Sequence, residues 1–124
     1  MNEYYHIEGL QDVYLEDSWV RSIVYDGNAV IFQLDIVLLE SHKNYSSPKP
    51  GEQYCYRSAS LRFERATHVD WKQVYMKPSI DANKEVDFGN INSFQALQST
   101  FLLSGDWGEL ELRCDELKLV VDVL

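Results

Sequence analysis

Basic residues are scarce in this chain: eleven Lys and Arg stand against twenty Asp and Glu, for a net charge of −9 over 124 residues. A phosphate backbone is held by clustered Lys and Arg, so this balance argues against nucleic acid as a direct partner. It favours basic proteins, cations or plain solubility. Cysteine is equally sparse. Cys55 and Cys114 both fall on the apolar phase of predicted strands. That placement reads as buried free thiols in a reducing compartment, with a disulfide left open should their strands be neighbours. No apolar run approaches the roughly 20 residues of a membrane span, and the opening Met1-Asn2-Glu3-Tyr4-Tyr5-His6 is polar and acidic rather than a leader. A cytoplasmic chain without membrane contact is the expectation. There is no Gly-x-Ser-x-Gly elbow, no glycine-rich phosphate loop, no internal repeat and no low-complexity tract. Nucleophilic catalysis therefore has no motif to rest on, and neither enzymatic activity nor a cofactor is expected.

What the chain does have is alternation. Leu110, Leu112 and Cys114 share one side of an extended segment, with Glu109, Glu111, Arg113 and Asp115 on the other. After a break at Asp115-Glu116 the pattern restarts with Leu117, Leu119, Val121 and Val123 inward. This is antiparallel sheet with one dry and one wet face. Upstream, Val13-Tyr14-Leu15 suggests a short opening strand, and Trp19 to Tyr25 lead into a turn at Asp26-Gly27-Asn28. The return strand puts Val30, Phe32, Leu34, Ile36 and Leu38 on one face and Ala29, Ile31, Val37 and Leu39 on the second, as a central strand would. Residues 40–52 form a loop by composition, and Cys55, Ala59, Leu61 and Phe63 begin the next strand, which continues past a bend near Ala66-Thr67 through Val69, Trp71 and Tyr75. Residues 78–92 read as a second polar loop. Ser93 to Gln98 offers a capped helical turn or two, because Phe94 and Leu97 stack at i, i+3. Phe101-Leu102-Leu103 then opens the last sheet region, which turns at Gly105-Asp106-Trp107-Gly108.

These elements predict a mainly antiparallel all-β fold. It is a β-sandwich or flattened barrel of about seven strands with at most one short helix, and patterning does not separate the two. Length and a 45% apolar content fit one domain over residues 1–124, able to bury roughly two-thirds of its unfolded surface. Charge is unevenly spread: residues 1–40 carry net −7, 41–80 net +4 and 81–124 net −6.

Candidate chemistry is thin. His68-Val69-Asp70 places an imidazole and a carboxylate on one strand face, a spacing that serves a metal or an acid and base pair, although a plain surface pair is commoner. His42 lies in the long loop and His6 near the terminus. Sequence places no third ligand, so no metal site is predicted. Asp81 to Asp87 spaces oxygen side chains at every second residue, yet Val86 stands where a calcium loop needs glycine, which favours an acidic surface loop. Tyr45, Tyr54 and Tyr56, near Lys43, Lys49 and Arg57, suit protein contacts or stacking on a small ligand. Trp107, between two glycines, is either an exposed recognition ring or a plug closing the sandwich, and its large apolar area favours the plug.

The segment Leu15-Glu16-Asp17-Ser18-Trp19-Val20 leading into the Asp26-Gly27-Asn28 hairpin, with Leu61-Arg62-Phe63 and Gly105 to Leu112, resembles small uncharacterised bacterial all-β proteins. Some of these are similar to immunity proteins of polymorphic toxin systems. The resemblance implies a protein that neutralises a partner toxin by binding it, and an acidic one suits a basic toxin. Two functions are carried forward. The first is a non-enzymatic acidic protein-binding module, an immunity-type inhibitor of a basic partner, with Asp106, Trp107, Glu109, Glu111 and Asp115 as the contact set. The alternative is a small-ligand or carbohydrate-binding sandwich using Tyr45, Tyr54, Tyr56 and Trp107. An exposed edge strand would also allow a homodimer.

Overall fold

A computed structural model of the chain describes residues 2–75, 79–80 and 86–122. The described residues are all-β apart from one 3-10 turn, Tyr4–His6. In chain order the strands are β1 (Asn2–Glu3), β2 (Val13–Asp26), β3 (Ala29–Leu38), β4 (Cys55–Val74), β5 (Ser79–Ile80), β6 (Val86–Asp87), β7 (Ile91–Leu97), β8 (Thr100–Gly105) and β9 (Gly108–Val121). One antiparallel sheet takes the order β1-β7-β8-β9-β4-β3-β2, in which β1 contributes only a two-residue bridge. β5 and β6 pair separately. No helix among the described residues is long and apolar enough to cross a membrane.

Two long strands turn this sheet into two walls. The first part of β4 pairs with β3, from Leu38↔Cys55 to Val30↔Phe63, and with the end of β9. Its second part pairs with the start of β9, which in turn carries β8. The crossing from wall to wall falls at the bulge between Ala66 and His68, beside Arg65 at φ 52°. Bulges bend and twist a strand, so the interruption predicted near Ala66-Thr67 is a fold line rather than an end. Among the described residues the sheet does not close, although Val20 N–H donates to Gly89 O and Phe88 N–H donates to Val20 O, both at 2.8 Å, drawing β2 toward the segment before β7.

Alternation decides what fills the space. Phe32 and Phe63 from one wall meet Phe94, Phe101 and Trp107 from the other, with ring centroids 5.2 to 6.0 Å apart across the walls and edge-on or tilted geometry. Leu110, Leu112 and Cys114 are buried as their phase predicts, and Leu117, Leu119 and Val121 pack half-buried against the same core. Cys55 and Cys114 are free thiols. In register Cys55 lies opposite Leu38 and Cys114 opposite Ala66, at distant points of β4, so a disulfide between them is ruled out.

Burial pushes the Cys114 thiol up from 9.0 to about 11. The folded state thus holds this proton more tightly than the unfolded chain does. Its contribution is complete below pH 9 and is lost as pH rises through about 11. We expect unfolding free energy to fall between those limits by an amount of order 1–2 kcal/mol that Cys114→Ala abolishes. Urea melts at pH 8 and 10.5 on both proteins check this, and equal losses in both would contradict it.

Three sequence expectations need correction. Ser93 to Gln98 is not helical but lies in β7 and the turn after it. Phe94 and Leu97, the i, i+3 pair that suggested a helix, fall on opposite faces of an extended strand, so Phe94 is buried and Leu97 is exposed. Val13 to Leu15 is not a separate strand. β2 is continuous, because at its own bulge the buried Ser18 hydroxyl donates to Tyr14 O at 2.6 Å and accepts Val37 N–H at 2.9 Å. Leu39 is exposed beyond the end of β3, whereas Ile31 and Val37 are buried on the second face as expected.

The loop from 39 to 54 is present as predicted and is tied down by a buried arginine. Arg57, 8% exposed, donates to Asn44 O, Ser46 Oγ, Cys55 Sγ and Tyr56 O at 2.9 to 3.2 Å. Fixing loop carbonyls from a strand in this way satisfies groups that the irregular backbone cannot pair itself.

Candidate functional site

Antiparallel register composes the most chemically varied surface from residues distant in sequence. On β4, His68, Asp70 and Lys72 point away from the core, and on β9, Glu109, Glu111 and Arg113 do the same. Pairing sets Asp70 opposite Glu111 and His68 opposite Arg113. The outer row continues through Leu102 of β8 to Gln95 of β7. Two carboxylates directly opposite on neighbouring strands repel, and the face compensates locally. His68 Nε2 lies 3.0 Å from Glu111 Oε2, and the Lys72 ammonium bonds Asp70. That ammonium holds the Asp70 carboxyl below the usual carboxylate range, and Asp70 raises Lys72 in return. His68, Asp70 and Glu111 each bring one ligand atom to within 4.8 Å of the others.

The predicted contact residues separate into two groups. Asp106, Glu109 and Asp115 are exposed and Glu111 is half-buried, all on β9 or its entry turn. Asp115 pairs with Arg65 at 3.2 Å and Arg65 also reaches Glu116 at 3.6 Å. Exposed pairs of this kind contribute little to stability. Trp107 does not belong with the acids. It is fully buried, edge-on to Phe32 at 5.2 Å and Trp71 at 5.8 Å, and its indole N–H donates to Asn90 O at 3.0 Å. Trp107 is the plug, and neither a protein nor a sugar can stack on it. Tyr75 is 56% exposed, and its backbone N–H donates to Trp107 O at 2.9 Å, which sets the residue beside the entry turn of β9. Sequence treated Tyr75 only as sheet.

The alternative aromatic set is also dispersed. Tyr45 packs against the core. Tyr54 and Tyr56 stand together at 6.1 Å but nearly perpendicular, joined by Tyr14 at 6.3 Å from Tyr54. The Tyr54 hydroxyl donates to Asp17 Oδ2 at 2.8 Å, which raises its pKa, and burial raises that of Tyr56. The neighbouring pocket, lined by Ser46, Lys49, Tyr56 and Arg57 among others, has about 30 Å³, room for a water but not a sugar ring. Residues 81–85, most of the acidic segment considered for calcium, lie outside the described residues.

Comparison with known proteins found no significant match to a protein-family model, a curated protein or a solved structure.

Proposed function

We propose that this chain is a non-enzymatic binding module that holds a basic protein through the β9 side of its second wall. The observation that carries the reading is the placement of Asp106, Glu109, Glu111 and Asp115 along one strand and its entry turn, reaching solvent beside the exposed Tyr75. Acids on a rigid strand steer a cationic partner, and a flanking tyrosine supplies the apolar contact area that charges lack. Tyr75 takes the anchoring part first given to Trp107. The chain's net charge of −9 supports the same preference. In its finer form the proposal is an immunity-type inhibitor in the cytoplasm of a bacterium, bound to a basic toxin, as the resemblance of the β2–β3 hairpin and Gly105 to Leu112 implies.

Charge reversal tests it. Immobilised wild-type chain should retain basic proteins from its host's extract at low salt and release them as salt screens the face, since the Debye length shortens from about 30 Å at 0.01 M to 10 Å at 0.1 M. The double variant Asp106→Lys, Glu109→Lys alters two exposed positions, leaves the fold intact by thermal melt, and should retain at least tenfold less. Retention indifferent to both salt and charge reversal would remove the basis of the reading.

A further inference from the structure

We propose that His68, Asp70 and Glu111 form a binding site for a divalent first-row transition metal ion of the zinc type. The three come from two strands that the sheet holds in fixed register, with Asp70 opposite Glu111 and His68 two residues along the same face of β4. Ligands bonded at 2.0–2.2 Å to a tetrahedral ion lie about 3.3 Å from one another. His68 Nε2 and Glu111 Oε2 already stand 3.0 Å apart, and all three ligand atoms fit within 4.8 Å. Closing the remaining spread requires a movement of about 1 Å by side chains that reach solvent, which rotamer adjustment supplies.

Charge and donor type narrow the ion. One imidazole with two carboxylates brings a formal charge of −2, matched to a divalent cation. Nitrogen beside oxygen suits zinc and its neighbours, whereas calcium and magnesium favour all-oxygen shells. Three protein ligands leave at least one coordination position for water or for a partner's side chain. The repulsion between register partners Asp70 and Glu111 would be relieved by a shared cation more fully than by Lys72 and His68, each of which reaches only one of them. Lys72 is the competitor, because its ammonium occupies Asp70 in the ion-free arrangement. The inference stands apart from the partner reading, since it concerns the isolated chain.

Calorimetric titration of the full chain with Zn²⁺ in a non-chelating buffer tests it, with Co²⁺ absorption as a second readout of nitrogen and oxygen coordination. We expect one saturable site whose affinity falls at least tenfold in His68→Gln and in Glu111→Gln. It should be unchanged in His42→Gln and strengthened severalfold in Lys72→Met. All four positions lie on the surface or in a loop, and thermal melts confirm folding. Absence of a saturable site, or a site indifferent to both His68→Gln and Glu111→Gln, would overturn the proposal.

Discussion

Replacing Trp107 with alanine is expected to cost about 3–5 kcal/mol of folding free energy, enough to lower the melting temperature by more than about 10 °C. The indole is fully buried where the two walls meet, against Phe32 on one side and Trp71 on another. Truncation removes those contacts and leaves a cavity that the sheet cannot collapse to fill. It also strands Asn90 O, whose residue is fixed on the far side by donation from its amide to Glu16 O at 2.7 Å. Trp107→Phe keeps most of the apolar volume and loses only the N–H bond, so its cost should be about 1–2 kcal/mol. Chemical denaturation of the two variants separates these effects. A loss below about 1 kcal/mol in Trp107→Ala would show that the ring does not close the core, and would return it to the surface role that its flanking glycines also permit.

Gly108→Ala should be of similar size for a different reason. Gly108 sits at φ +140°, a backbone region that side chains rarely enter, and an added Cβ would lie 2.3 Å from Gln73 O across the β4–β9 pair. Backbone strain and overlap with a strand that cannot retreat without breaking register together amount to about 3–5 kcal/mol. Gly27→Ala is the control. Gly27 turns the β2–β3 hairpin at φ +61°, but a Cβ there meets nothing within 4 Å, so only the backbone penalty of about 1–2 kcal/mol remains. The comparison is made by urea denaturation. Equal costs at the two glycines would mean that close approach of β4 and β9 at the turn contributes nothing.

The walls were readable in the sequence because burial on one face of a strand imposes a period of two on its residues. Phe32, Leu61, Leu110 and Leu112 show that period and are fully buried. The fold line after Phe63 was also legible as a lapse of the pattern. What escaped depends on bulges and on register, which no local pattern encodes. Phe94 and Leu97 imitated one face of a helix, but they lie on opposite faces at the end of β7. His68 and Asp70 are two residues apart and were visible as a pair, whereas Glu111 joins them only through the pairing of β4 with β9. For Trp107 the sequence allowed a surface ring as well as a plug and favoured the plug, and the indole is fully buried. The choice falls to Gly105, where a Cβ would lie 2.4 Å from the indole nitrogen and 2.1 Å from Asn90 O. Glycine there makes room for the ring to turn inward.

The sharing of β4 and β9 between both walls has a consequence for how the chain assembles. The β2–β3 and β8–β9 hairpins join residues that are near neighbours in sequence, from Asp26↔Ala29 and Gly105↔Gly108 outward. The β4–β9 pair instead joins Val74 to Gly108 and, at its far end, Ala59 to Val121, so it closes large loops. Topologies dominated by such distant pairings fold slowly, on the scale of milliseconds to seconds. His68, Asp70 and Glu111 meet only when that pairing zips. A newly made chain with both hairpins formed carries Glu111 on β9 but not yet beside His68 and Asp70, so that three-residue cluster is assembled only by the long-range ladder.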